Sequence, residues 1–191
     1  VDWTKDHAIE LTRERVEPPT KDTYLEKNWM PVMDMPFHFV RWSNPVEVVK
    51  INLEDKSTEK VSQGILNKLS STTVINKEEK FDGPLGIRGS SQVIPFGNKG
   101  DRICITHEVD FFHHLGGHKD AHYYHRFLIW DKDWNLKSIS KQFKFMDAMI
   151  EFNTGLAIKN GNFIITYGFQ DNAAYALKMP VSLLDKLEWE E

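Results

Sequence analysis

The stretch FNTGLAIKNGNFIITYG, residues 152 to 168, places Asn160-Gly161 between two runs in which apolar and polar side chains alternate. Asparagine and glycine both accept positive φ, and alternation with period two puts one face of each run against a core. The stretch therefore predicts an antiparallel hairpin with a two-residue turn. The same texture recurs in both directions. VIPFGNKGDRICITHE, residues 93 to 108, reads as strand, Gly97 to Asp101 turn, strand. HYYHRFLIWDKDWNLKSISKQF, residues 122 to 143, turns at Asp131 to Asn135, and VEVVKINLEDKSTEKVSQ, residues 46 to 63, has a related rhythm. A weaker strand pattern runs through AYALKMPVSLLDKL, residues 174 to 187, and WMPVMDMPFHFVRWSNP, residues 29 to 45, opens a further unit.

THE at 106 to 108 and TYG at 166 to 168 close comparable inner hairpins, so the unit repeats. Each unit has the size of a four-stranded antiparallel propeller blade. The expected fold is all-β: antiparallel four-stranded blades in a five-bladed β-propeller-like arrangement, here an incomplete propeller of about three blades. Residues 1 to 191 are expected to form a single β-propeller-like domain. Helix signals are sparse. SLLDKLEWEE has a Ser182 cap for a turn or two of helix, while IELTRERV alternates as a strand before Pro18-Pro19. The polar stretch from Gln63 to Gly89 reads as a long connection holding one short strand.

Composition bounds the function. The chain has 24 Lys and Arg against 28 Asp and Glu, a net charge of −4 with both signs interspersed, which argues against nucleic acid or an anionic membrane as partner. At 191 residues it can bury roughly 70% of its unfolded surface. Cys104 lies in an apolar run and reads as a small core residue. No apolar run approaches the roughly 20 residues of a membrane helix, and the first residues show no signal peptide, so a soluble, cytoplasmic protein is expected. A start without methionine suggests that sequence precedes Val1. Open sheet edges predict association of like chains through exposed strands.

Six of the eight histidines fall in HEVDFFHHLGGHKDAHYYHR, residues 107 to 126. The expected layout is a strand ending near His107, a loop DFFHHLGGHKDA of about 12 residues, and a strand starting near His122. A zinc site on His113, His114, His118 and His122, serving a metal-dependent hydrolase, is one reading; the spacing matches no established zinc signature. A polar loop without an ion, or histidines that bond a ligand directly, are the others, and no cofactor is expected. Strand alternation sets Tyr123 and His125 on one face and Tyr124 and Arg126 on the other. In PLGIRGSSQV, Arg88 between glycines can fork onto a carboxylate or phosphate, or form a surface ion pair. Asp171 and Glu151 are the candidate carboxyls for acid–base chemistry.

In order, EKNWMPV, RGSSQVIPF, ITHEV, YYHRFLIWDKDWNLKSIS, IEFNTGLAI and IITYGFQDNAAYAL resemble the C-terminal part of five-bladed propellers related to glycoside hydrolase family 130, the mannoside phosphorylases and their kin. Similar segments accompany some glycosyltransferases. The resemblance implies that Lys27, Arg88 and His107 gather around phosphate, that Asp171 holds sugar hydroxyls, and that Tyr124, His125 and Tyr167 line the same pocket. It implies a glycan or sugar as ligand, with phosphate as co-substrate of a glycoside phosphorylase, or water for a hydrolase. The family's Glu-Asp-Pro-Arg type segment with its catalytic aspartate is missing here, which favours binding over catalysis and leaves open a noncatalytic accessory module of a glycosyltransferase or an assembly.

Overall fold

A computed structural model describes residues 13, 15–20, 27–63, 86–113 and 119–190. Among the described residues twelve strands follow one another: β1 (Met30–Pro31), β2 (His38–Ser43), β3 (Val46–Ile51), β4 (Thr58–Gln63), β5 (Arg88–Gly89), β6 (Ile94–Phe96), β7 (Asp101–His113), β8 (Lys119–Trp130), β9 (Leu136–Ile139), β10 (Glu151–Lys159), β11 (Asn162–Phe169) and β12 (Ala173–Pro180). The named strand pairs are all antiparallel, and they form three successive sheets. The first runs β1-β2-β3-β4, the second β5-β7-β8-β9 with β6 also on β7, and the third β10-β11-β12. The fold is thus all-β, three successive antiparallel sheets consistent with the expected incomplete propeller of about three blades, with four, five and three strands per sheet among the described residues instead of four throughout. Val181–Lys186 forms a 3-10 segment, where a turn or two of helix was expected. The strand expected in IELTRERV and most of the connection after Gln63 lie outside the described residues.

Turn chemistry fixes the hairpins. Asn160 and Gly161 adopt φ of 51° and 71°, the left-handed pair that matches the twist of β10 and β11. At Asp131 the carboxylate accepts from the main-chain N–H of Asp133 (2.8 Å) and of Asn135 (2.9 Å), closing the β8–β9 turn. The Asn135 side-chain amide, donating to Asp131 Oδ2, and then these main-chain bonds lower the pKa of the Asp131 carboxyl.

The second sheet is the centre of the molecule because both of its faces are apolar at the Asp101 end of β7. Cys104, Leu128, Trp130 and Ile139 pack with Met30, Val40, Val48 and Val93 against the first sheet. Ile103, Ile105, Phe127 and Ile129 pack with Leu156, Phe163 and Ile165 of the third. Cys104 is buried, and burial pushes its thiol up, as a core residue requires.

Toward the other end of β7 and β8 one face turns polar, with Thr106, Glu108, Asp110, His122, Tyr124 and Arg126, without ending the strands. The expected loop from Asp110 to Ala121 is a correction: pairing continues through Phe111↔Ala121 to His113↔Lys119, so both strands run on into it. A polar network lies on this face just before the extension. Arg126 is fully buried; its Nε donates to Glu108 Oε2 at 3.0 Å and its Nη1 to Glu190 Oε1 at 2.6 Å and to the Ser140 carbonyl at 2.8 Å. Gln142 donates to the same Glu108 oxygen. Glu190 is held beside β9 because its N–H bonds the Ile139 carbonyl while Lys141 N–H bonds Glu188. No helix among the described residues is long and apolar enough to cross a membrane.

Candidate functional site

Residues directly opposite on neighbouring strands share a face, and the register pairs Arg88 with His107 and His107 with His125. Three adjacent strands therefore present Arg88, His107 and His125 as a row. Lys27, just ahead of β1, joins them: its charge, like those of Arg88 and His125, bears on the His107 ring. The row is graded in depth, from exposed Lys27 through half-buried Arg88 to His107 and His125, which are 2% and 0% exposed. Gly89 lets this happen, because a Cβ there would lie 2.1 Å from the Asn28 carbonyl oxygen and 2.6 Å from Met30 Cγ. The segment carrying Lys27 can approach β5 only over a glycine.

Burial first, and then the positive charge of Arg88, His125 and Lys27, lower the His107 pKa to about 3, against a smaller opposing pull from the Gly89 main chain. The ring is neutral near pH 7. Its Nδ1 lies 2.7 Å from Ser90 Oγ, Tyr123 stacks on it at 5.9 Å, and Phe152 meets it edge-on at 4.8 Å.

His125 is enclosed by Phe145, at 4.6 Å between ring centroids, and Phe143, at 5.9 Å. Among the described residues neither of its ring nitrogens has a side-chain or main-chain partner in hydrogen-bond geometry. Burial lowers its pKa to about 4, although the Glu151 carboxylate and the Thr106 main chain pull the other way. Glu151 Oε2 is 3.9 Å from His125 Nε2, an electrostatic neighbour beyond hydrogen-bond reach. The Glu151 carboxylate is instead filled by main-chain N–H groups: Phe145 at 2.6 Å on Oε2, Met146 and Ala148 at 2.9 Å each on Oε1. Those contacts make it the anchor of the segment between β9 and β10. Tyr167 is buried, stacked between Phe145 and Tyr175 at 4.6 Å and 5.7 Å, and burial and the Glu151 charge raise its pKa.

The buried pair of histidines dictates an acid response. An unfolded imidazole titrates near 6.5. Between that value and the folded values of about 4 and about 3, the unfolded chain binds protons that the native one does not. Stability is fully present above the unfolded value and drains away as pH falls toward the folded ones. For His125 the effect is on the order of 3 kcal/mol at about 1.4 kcal/mol per pKa unit. Replacing His125 with phenylalanine, which suits its aromatic enclosure, is expected to flatten the fall in melting temperature between pH 7 and 4. Parallel pH profiles for the two proteins would contradict it.

The other sequence candidates are placed differently. Tyr124 lies on the opposite face from His125, with Lys144 Nζ 5.1 Å over its ring; burial first, then Asp110 and Asp147, raise its pKa. Asp171 is exposed in the β11–β12 turn, where it and Gln170 both adopt φ of 52°. His122 sits within β8 opposite Asp110. His113 ends β7, and His114 and His118 lie outside the described residues. Among the described residues no group of three or more His, Cys, Asp or Glu side chains could hold a metal ion. Tyr123, Phe152 and Ser90 are neighbours of His107 that motif reading passed over; for Tyr123 the strand parity of His125 was the available signal.

No family model matches the chain, and no curated protein matches it. Among solved structures, a mannose phosphorylase from Leishmania mexicana, in complex with phosphate ion, is similar with a TM-score of 0.49 at 12% identity, over 84% of this chain and 53% of that one. The chain thus spans about half the length of that protein. The strand pairings themselves, not that likeness, define the architecture described above.

Proposed function

We propose that this domain binds a carbohydrate together with a phosphate-like anion, and that Lys27, Arg88 and His107 receive the anion. One observation carries the reading: among the described residues, the charged or titratable groups that bear on the buried His107 ring, Arg88, Lys27 and His125, are basic types. Such a grouping of an arginine, a lysine and a neutral histidine suits an anion. A guanidinium and an ammonium side by side suit the oxygens of a phosphate, with the neutral imidazole as an additional polar group. Tyr167 and Asp171, on the neighbouring sheet, are proposed for the sugar.

Binding is the part of the reading that the residues support. Phosphorolysis or hydrolysis of a glycoside needs a proton donor at the leaving oxygen. Glu151, with three main-chain N–H groups on its two oxygens, is committed to holding a loop. The proposed role is therefore glycan and anion recognition, either alone or as part of a larger carbohydrate-active protein.

Calorimetric titration with inorganic phosphate and with a hexose 1-phosphate tests this. Arg88→Ala is expected to weaken both by about tenfold or more, the loss of a charge-assisted hydrogen bond of about 1.5 kcal/mol or greater. Equal affinity in the variant and the parent would overturn the assignment of the anion to this row. The catalytic form of the reading is checked separately, by incubation with mannosides and phosphate and assay of sugar phosphate release.

A further inference from the structure

In chain order the three sheets end on β4, β9 and β12, and the first two of these edges have chain beside them. Glu188 to Glu190 run along β9, where Glu190 N–H bonds the Ile139 carbonyl and Lys141 N–H bonds the Glu188 carbonyl. Next to β4, the Thr58 hydroxyl donates to the Glu17 carbonyl at 2.6 Å. At β12, among the described residues, β11 is the only neighbour. The outward main-chain groups of β12 follow from its register. Val181 N–H bonds the Gly161 carbonyl at 3.0 Å, so these two residues form a hydrogen-bonded pair in the same register that runs along β11 and β12. Alternation then turns the main-chain groups of Ala173, Tyr175, Leu177 and Met179 toward β11. Those of Ala174, Ala176 and Lys178 point outward, and all three residues are exposed. Past β12 the chain turns back toward the core, where Leu184 is buried in the same cluster as Phe163.

We propose that β12 is a self-association edge, which pairs antiparallel with β12 of a second copy of this chain about a two-fold axis at Ala176. The strand's own chemistry selects that occupant. With Ala176 facing Ala176 of the partner subunit, Ala174 faces Lys178 of the partner subunit, and every outward N–H and C=O of the three residues finds a partner. Tyr175 then stands opposite Leu177 of the partner subunit, in the closer, non-hydrogen-bonded kind of pair. Tyr175 is 43% exposed and Leu177 half-buried, so pairing covers apolar surface that the single chain leaves in water. Neighbouring registers do worse. An axis at Tyr175 sets Lys178 against Asn172, whose N–H already bonds the Phe169 carbonyl. One at Leu177 sets Ala174 against Pro180, which has no N–H, and one at Lys178 brings two ammonium groups face to face. In the Ala176 register the two three-stranded sheets become one continuous sheet. A single strand pair is smaller than a permanent interface, so the dimer exchanges with monomer and depends on concentration. Pairing at β12 is independent of the anion row.

Sedimentation velocity over a series from about 1 μM to about 500 μM is expected to show a monomer giving way to a dimer. Amide exchange at Ala174, Ala176 and Lys178 should slow over the same series. Ala176→Pro removes the central N–H at an edge position that tolerates proline, and should weaken the dimer about tenfold or more. Charge at position 174 tests the register without touching the main chain. Ala174→Lys sets a like charge across from Lys178 of the partner subunit and should weaken the dimer about threefold to tenfold, while Ala174→Glu should tighten it by a similar factor. A protein that stays monomeric throughout, with the three amides exchanging equally fast at both ends of the series, overturns the proposal. So does a dimer of unchanged affinity in a folded Ala176→Pro protein, or one indifferent to the sign of the charge at position 174. Should Ala176→Pro fail to fold, the two Ala174 variants alone decide.

Discussion

Replacing Glu151 with alanine is expected to lower the free energy of unfolding by about 3 to 5 kcal/mol, a large share of what a domain of this size possesses. The carboxylate is 0% exposed, and removing it orphans three main-chain N–H groups at once, those of Phe145, Met146 and Ala148. Each buried donor left without an acceptor costs about 1 to 3 kcal/mol, reduced where water can enter the gap. The same segment presses Phe143 and Phe145 onto His125 and supplies Phe145 to the Tyr167 stack. Loosening it should therefore expose the histidine as well. Urea titration of the variant would show the midpoint fall, and amide exchange at Met146 and Ala148 would speed up. Glu151→Gln, which keeps one acceptor oxygen, should lie between the two. An alanine variant as stable as its parent would show that the segment is held by something other than this carboxylate.

Arg126 is the second position where one side chain holds much. Its guanidinium is fully buried and joins Glu108 on β7, the Ser140 carbonyl after β9 and Glu190 near the C-terminal end of the described chain. Arg126→Ala would leave two carboxylates facing a gap, and breaking a buried ion pair from one side typically costs about 3 to 5 kcal/mol. The loss should have a local signature, because Glu188 to Glu190 run beside Ile139 to Lys141 through main-chain bonds that the Arg126–Glu190 contact reinforces. Limited proteolysis is expected to cut the variant near Glu188 under conditions that leave the parent intact. Unchanged proteolysis together with an unchanged urea midpoint would mean that the Arg126 network contributes little net stability.

The sequence revealed the fold where local chemistry dictates it. Asn160-Gly161 selects a turn by its left-handed φ values, and Asp131 closes another with its own carboxylate. These signals are local, so they are readable without knowing what lies across the sheet. The long β7–β8 ribbon hid for the opposite reason. Its outer half alternates Glu108, Asp110, Tyr124 and Arg126 on one face, and a polar face reads as a loop until its partner strand and the Arg126 network are known. The size of the sheets was hidden similarly, since β5 and β6 are two and three residues long and gain their identity only by pairing with β7.

The candidate site shows the same division. Arg88 and His107 drew attention through their motifs, and the register lines them up with His125 as a row on one face. Strand parity alone separated Tyr124 from His125, and the β7–β8 register keeps them on opposite faces. Ser90 carried no signal, because a serine after a glycine is ordinary and only the 2.7 Å contact marks it as a neighbour of His107. Glu151 drew attention as an acid in a strand, but the three N–H groups that occupy it come from a segment several residues upstream whose path a sequence does not display.

The most direct measurement follows the His107 ring resonances while inorganic phosphate is titrated into the protein. An anion seated among Lys27, Arg88 and His107 predicts a saturable shift at His107 that weakens as salt is raised and disappears in Arg88→Ala. Ring resonances that stay fixed throughout the titration, in a protein shown to be folded, would contradict the account.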